Sequence, residues 1–449
     1  MRTRSYLIPV ILLSFRALIA AHSQDSLSLR QAVDRALEQS PEAAIARASQ
    51  EEAKAGAALA RIQLMPQLSL TEDISRGDDP VYAFGSRLRQ RRFTQADLAL
   101  NSLNRPRPLG NFSTRFSGSW LAFDSFKTQK EIHRADLSSQ SEQDSGKAID
   151  QQIVFRVVTS YQFILYAQRE IEVAQHEQAT AAALLASVED HVKAGLAVES
   201  DRMSSLVNVA ARKQELIAAQ GDCDLAWSEL RDAMGATELK PSELKPMEAH
   251  APQRALEEEI ATALRMRPDL KALRQAQAAQ GAALGAAKSS FGPRVSAYGN
   301  WEEDRGSPWN SGGNNWVAGV QINVDILPIG RRSQVVRESA AKQLVDAQMA
   351  LSSQHVRLQV SQAYIHRRTA ELSLETARAA MDQASESLRI VQNRYRAGLA
   401  TITDLLRAED AERQSRTNYW HGVYGSALAY AELLFATGTL TPDAAEELQ

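Results

Sequence analysis

Two octapeptides, AGLAVESD (Ala194–Asp201) and AGLATITD (Ala397–Asp404), each place a carboxylate six residues after a glycine, and they stand 203 residues apart. A carboxylate on a short turn can move a proton, hold a cation or cap a helix. No His, Cys or Lys accompanies it in either octapeptide, so acid–base or metal chemistry would lack a second partner there. Elsewhere the reactive residue types are scattered. The eight histidines include no HExxH, and no CxxC, P-loop or GxGxxG in a βαβ setting occurs. Glu409–Asp410 is an acid pair that any helix surface can carry. The single cysteine, Cys223, falls in a helical pattern and is expected as a small packed residue. No catalytic constellation results: the expectation is a non-enzyme with no cofactor and no metal.

The elements that carry these turns come next. The chain has 449 residues, is 44% hydrophobic and 23% charged, and has a formal net charge of −3. Such a balance lacks the basic excess of a nucleic-acid binder. Few aromatics and few prolines fit long helices rich in Ala, Gln, Glu, Arg and Leu. Residues 1–23 read as a secretory signal peptide, with Arg2 and Arg4, an apolar run from Tyr6 to Ala20 broken by Arg16, and Ala21-His22-Ser23 before the cut. The run is short for a membrane span. One cysteine allows no internal disulfide.

The octapeptides belong to a duplication. Offset 203 also aligns Tyr161 with Tyr364, Ala174 with Ala377, Leu230 with Leu433 and Gly235 with Gly438. Nearer each start the offset is 227, aligning Leu29 with Leu256, Pro41 with Pro268 and Pro66 with Pro293. The repeats span 24–235 and 256–440. A linker at 236–255, with Pro241, Pro246 and Pro252, joins them, and 441–449 form a tail. The first repeat is longer by a segment from Thr71 to Asn111, expected as a surface loop. Its counterpart, around Glu303 to Asn314, is short. The run SRLRQRRF in the longer segment sets Arg87, Arg89, Arg91 and Arg92 beside Phe84 and Phe93.

Each repeat mixes two periodicities. Ile149, Ile153, Val157, Tyr161, Ile164 and Ile171 recur at helical steps, and no proline interrupts Pro108 to Pro241 or Pro328 to Pro442. Long helices are therefore expected at about 127–193 and 331–396, each roughly 100 Å long at 1.5 Å per residue. Gly195 and Gly398 can end them in the left-handed conformation, and Asp201 and Asp404 can open the next helix. Each octapeptide becomes the tip of an antiparallel hairpin. Strands are expected at about 66–74, 111–123, 293–302 and 315–327 from period-two alternation, as in Trp316, Ala318, Val320, Ile322, Val324 and Ile326 against Val317, Gly319, Gln321, Asn323 and Asp325. A rod cannot cover a sheet, so lipid is the alternative for the apolar faces, with Trp120, Trp301 and Trp316 suited to interfacial girdles. Four strands cannot close a membrane barrel, and open edges are not tolerated in lipid. Several chains must then share one barrel: two give eight strands, three give twelve.

The duplicated plan, RYRAGLATITDLLRAED (Arg394–Asp410), AGLAVESD, the prolines Pro66 and Pro293 before strands, and ATGTL (Ala436–Leu440) after the second hairpin together resemble the TolC-like family of outer-membrane efflux proteins. The resemblance covers about Ser26 to Leu440. It implies an α+β membrane protein. In a homotrimer, three chains form a twelve-stranded β-barrel in outer-membrane lipid and a periplasmic coiled-coil barrel of helices. Pairs of short helices stack end to end in place of a long one, Ser200–Gly235 with Ala43–Leu64 and Asp404–Thr437 with Asp269–Ser290. It implies a passive export duct, opened at its periplasmic end by an adaptor and an inner-membrane pump of RND or ABC type. Ala194, Gly195, Leu196, Ala397, Gly398 and Leu399 match adaptor-docking tips, and Asp404 matches an acidic aperture position. Phe116, Trp120, Trp301, Trp316, Val320 and Ile322 would face lipid, and the four arginines would lie in an extracellular loop, within reach of lipopolysaccharide phosphates. Two departures stand out: Arg407 where some members have a second acid, and Ala400 where they have an arginine. Three residues apart on a helix, Asp404 and Arg407 are expected to pair within or between chains. The rival reading is a periplasmic adaptor or a secreted coiled-coil scaffold, but two hairpins each with its own strand pair speak against it.

Overall fold

The computed structural model describes residues 27–236, 244–245 and 254–446. The expected signal peptide, most of the linker and the last three residues lie outside these. The chain runs α1 (Leu29–Gln39), α2 (Pro41–Ile62), β1 (Gln67–Gly77), α3 (Pro80–Arg89), a 3-10 turn (Gln95–Leu98), α4 (Leu100–Asn104), β2 (Leu109–Phe123), α5 (Lys127–Lys193) and α6 (Glu199–Met234). The second repeat follows as α7 (Leu256–Met266), α8 (Pro268–Ser289), β3 (Arg294–Arg305), β4 (Gly313–Asn323), α9 (Ile329–Arg396) and α10 (Ile402–Thr437), with α11 (Pro442–Glu446) in the tail.

Local chemistry accounts for the helix ends. Ser28 caps α1 in a reciprocal box with Gln31. Ser40 caps α2, with Pro41 at the first helical position. Four glycines take positive φ: Gly195 (72°), Gly235 (64°), Gly398 (71°) and Gly438 (73°). Each closes a long helix by the same pair of bonds, as in Leu196 N–H to His191 O (2.8 Å) and Gly195 N–H to Val192 O (3.0 Å).

Two of these glycines also join helices. A methyl on Gly235 would come within 2.9 Å of Gln39 O and Ser40 Cα, where α2 begins. On Gly438 it would come within 2.7 Å of Arg267 Cα, just before α8. So α6 continues into α2, and α10 into α8, end to end. Across the helical wall the order is α2 with α6, then α5, then α8 with α10, then α9. The main core sits where the helices meet end to end. Leu29, Val33 and Ala36 of α1 pack there with Ile153, Val157, Tyr161 and Ile164 of α5 and Trp227, Leu230 and Met234 of α6. Cys223 is buried in the same cluster. The Tyr161 hydroxyl donates to Leu27 O (2.8 Å) and accepts from Lys245 N–H (2.9 Å), which fixes the described part of the linker against α5.

The four strands form one antiparallel sheet in the order β1-β2-β3-β4, so β2 of the first repeat pairs β3 of the second. Among the described residues no strand pairs the outer sides of β1 and β4. Register puts Leu70, Phe116, Trp301 and Trp316 directly opposite one another, and Ser69, Ser117 and Asn300 in a row on the other face. The first face carries Leu68 (85% exposed), Val320 and Ile322, all open to the surroundings. It ends toward the β3–β4 hairpin in a polar row, where Arg305 donates to Thr114 Oγ1 (2.6 Å) and lies 3.6 Å from Glu72. No helix among the described residues is long and apolar enough to cross a membrane.

Several sequence expectations need correction. β4 stops at Asn323, not 327, because its partner begins at Arg294 after Pro293, so later residues have nothing to pair with. β1 and β3 run on to Gly77 and Arg305, since Leu109 and Phe112 of β2 supply partners. The segment from Thr71 to Asn111 is not a loop. It opens and closes in strand and contains α3, a 3-10 turn and α4. Asp79 caps α3 (2.8 Å to Tyr82 N–H) and Pro80 starts it, a signal that was present in the sequence.

The glycines should separate by mutation. Gly195→Ala or Gly398→Ala meets open space and costs only the left-handed backbone strain, about 1–2 kcal/mol. Gly235→Ala and Gly438→Ala add a collision with the next helix. Their thermal melting temperatures in detergent should fall well below those of the tip variants.

Candidate gate at the hairpin tips

The tips of the two hairpins lie side by side. Ile402 and Leu405 at the start of α10 pack on Val188 of α5, with Leu184, Val192, Leu388 and Tyr395 around them. Ala194, Gly195, Leu196, Ala397, Gly398 and Leu399 are all exposed beyond this small core, as the expected tips. Leu196 and Leu399 each present a bare side chain at the very end.

The tips differ in one decisive pair of positions, Val198 and Thr401. Thr401 Oγ1 accepts from Asp404 N–H (3.2 Å) and donates to Asp404 Oδ2 (2.8 Å), while Thr401 N–H donates to the same carboxylate (3.0 Å). This capping box holds the Asp404 carboxyl below its ordinary range, through the Thr401 backbone bond first and the Thr401 hydroxyl next. Arg407 and Arg394 add only distant attraction. The expected pairing of Asp404 with Arg407 is absent within the chain: among the described residues neither makes an ion pair with the other. The T-x-x-D spacing that announces a capping box was in the sequence. At the first tip, Val198 has no hydroxyl, so α6 starts without a side-chain cap and Asp201 lies within its first turn. Arg202 there pairs with Glu199 (2.6 Å) and reaches Glu189 (3.8 Å).

Above the tips, α10 meets the first hairpin through a buried charged cluster that the sequence reading passed over. Arg212 of α6, almost wholly buried, pairs with Asp410 (2.7 Å) of α10 and Glu215 (2.8 Å). Glu412 is buried and pairs with Arg416. Burial pushes the Glu409 carboxyl up to about 7, helped by the negative charge of Glu177 and then Asp410, with Arg212 opposing. Burial likewise raises Glu177 and Glu170 on α5. A cavity of about 270 Å³ opens beside them, lined by Glu170, Glu177, Asp222, Arg413 and Phe163 among others. In sequence these acids look like any solvated face; only the packing of α10 against α5, with Arg212 of α6 reaching across to Asp410, covers them.

The expected lipid-facing residues, Phe116, Trp120, Trp301, Trp316, Val320 and Ile322, share the exposed apolar face of the sheet. Trp120 donates its indole N–H to Leu64 O (3.0 Å). The four arginines do not form one free basic patch. Arg87 pairs with Asp97, Arg89 lies 3.7 Å from Glu302, and Arg91 donates to Asn314 O (2.9 Å).

An apolar-faced sheet mounted on paired rods of this length, in a duplicated chain, defines a membrane-anchored duct protein. The sequence pattern of the family described as "Outer membrane efflux protein" matches residues 32–236 and 260–439. The chain belongs to that family and is an outer-membrane channel component of an export system. It is 22% identical over 425 residues to the alkaline protease secretion protein AprF of Pseudomonas aeruginosa, across 92% of this chain and 85% of the relative. The fold is similar to the Campylobacter jejuni CmeC outer membrane channel (TM-score 0.78, 16% identity, 92% and 85% of the two chains). It is also similar to the outer membrane protein VceC of Vibrio cholerae (0.77, 18%, 91% and 96%).

The raised Glu409 has a pH signature. Its folded value lies above the unfolded one, so its contribution is present below about pH 4.5 and is lost as pH rises through about 7. The melting temperature should therefore decline over that window, and Glu409→Gln should flatten the decline.

Proposed function

We propose that three copies of this chain close into one duct, with a twelve-stranded barrel in the outer membrane and a helical tunnel below it in the periplasm. One observation carries this reading: sheet and helical wall end in bare edges on the same two sides. β1, which follows α2, and β4, which precedes α9, are both unpaired on their outer sides. In hydrocarbon each unmade backbone bond costs several kcal/mol, so the β4 edge of one copy has to meet the β1 edge of the next. The helices match this. Leu344, Leu351, Leu358, Ile365 and Leu372 form an exposed seam on α9 at strict seven-residue spacing, the spacing of a coiled-coil contact. At the opposite edge Ile45 and Leu59 of α2 and Val207, Ile217 and Leu225 of α6 are also exposed. Joining these edges is heterologous and closes a ring. Three as the number rests on the family resemblance.

In this reading the tip residues Gly195, Leu196, Gly398 and Leu399 dock a periplasmic adaptor, which couples the duct to an inner-membrane pump. Asp404, repeated around the axis, forms the aperture. Thr401 preorganises its carboxylate, and Arg407 meets the Asp404 of a neighbouring copy. The similarity to AprF, an alkaline protease secretion protein, favours polypeptide as cargo.

Crosslinking in outer-membrane fractions should give a heat-sensitive trimer. A soluble periplasmic monomer would mean that the scaffold reading is right and the channel reading wrong. In planar bilayers Asp404→Ala should raise resting conductance and weaken block by divalent cations; unchanged conductance and block would remove Asp404 from the gate.

A further inference from the structure

We infer that α3 is an internal lintel, and that three copies of it meet across the axis to seal the outer mouth of the duct, a second closure remote from the periplasmic tips. The inference rests on the trimeric reading above. The apolar face of the sheet must look outward to lipid, so the opposite face lines the bore. That opposite face is the one α3 covers. The Tyr82 and Ser75 hydroxyls are 3.0 Å apart. Gln90 donates to Asn111 Oδ1 (2.8 Å) and Gly110 O (2.9 Å), and Asn111 donates to Asp304 Oδ1 (2.6 Å). Arg89 faces Glu302, and the Arg89 carbonyl sits so close to Gly313 that no side chain would fit there. Ser75, Asn111, Ser113, Glu302, Asp304 and Gly313 all belong to the polar face by register. Asp304 is completely buried beneath this layer. The helix thus crosses from β1 to β4 on the bore side.

Its sides are unlike. Ala83, Ser86 and Gln90 are buried against the wall. Val81 (80% exposed) and Leu88 (48%) fall on the opposite side of the helix and point away from the wall, while Phe84 on the same side packs edge-on against Phe93 (4.9 Å). An apolar stripe facing a water-filled bore has an unmet drive for burial. The occupant is a second and third copy of the same stripe, and the dimensions agree. Twelve strands about 4.8 Å apart and tilted about 40° set facing backbones about 24 Å apart, with a narrower bore inside their side chains. Three helices each about 10 Å across, set around one axis, fill a circle of about 22 Å. Val81 and Leu88 from three copies then make a dry contact at the centre, backed in each copy by Phe84 seated on Phe93.

The test is access from outside to Ser117→Cys, on the polar face one row below Arg115, in intact cells carrying the full chain. The probe is a polyethylene-glycol maleimide wider than a general porin pore and narrower than the bare bore. Native Cys223 is buried and does not report. With α3 intact, labelling should be slow. Val81→Asp with Leu88→Asp, both surface changes that leave the wall contacts untouched, should speed labelling on the order of tenfold or more, the change when a state open a few per cent of the time becomes the main one. Replacing residues 79–107 by a short Gly-Ser turn should do the same. Fast labelling with α3 intact, or a double aspartate variant as slow as the parent, overturns the seal. Val320→Cys, on the apolar face, should stay unlabelled in every background; labelling there would sink the channel reading instead, and so tells the two failures apart.

Discussion

Hydrocarbon offers no water to a strand whose amides lack a partner. The sheet of this chain has two long strands, β1 and β4, each bare along one side, and one face that is apolar from Leu68 to Ile322. Its other organisation follows from that demand. In the proposed assembly the apolar face stays in lipid, the edges are joined by other copies, and the helical wall brings the same edges together at the same curvature. That is why the exposed seam of α9 lies on the β4 side and the exposed residues of α2 and α6 on the β1 side. A monomer of this chain is an unfinished object at both levels.

The duplication makes the joint exact enough to repeat. Gly235 and Gly438 let one helix end abut the next, so a stacked pair serves as the partner of an unbroken rod. The two repeats then diverge where symmetry is not required. Thr401 in place of Val198 locks the second tip's carboxylate in a capping box, whereas at the first tip Arg202 holds Glu199 instead. The buried charges around Arg212, Glu409 and Glu412 tie that second tip's helix to the first hairpin. Movement of that tip would have to disturb a cluster in which Arg212, Glu177 and Glu412 are buried while Asp410 stays exposed.

Much of this was legible in the sequence because it depends on local pattern. The long helices follow from period and absence of proline, the tips from glycine followed by acid, and the exposed apolar sheet face from alternation. What was not legible depends on packing between distant segments. Asp404 and Arg407 stand on one helix face, and spacing alone favoured their pairing; the nearer Thr401 hydroxyl and amide claim the carboxylate instead. The burial of Glu409 comes from α5 and α6, far away in sequence. The Arg-rich stretch was expected as a solvated loop because composition says nothing of direction. The Asp79-Pro80 start of a helix was there to be seen, but not that this helix turns back over the sheet.

The lengths of the repeats carry a consequence of their own. The unbroken rods have 67 and 68 residues, the helices returning from the tips 36 each, and those that continue them 22 each. The molecule works as a gauge block, with a height fixed by counted helical turns. An insertion in one rod would leave the tips at uneven levels and throw the seam out of step with its neighbour. Evolution can lengthen such a chain only in both repeats at once and by matched turns. Variation among relatives should gather where the count does not matter, in the stretch between β1 and β2 and in the linker between the repeats.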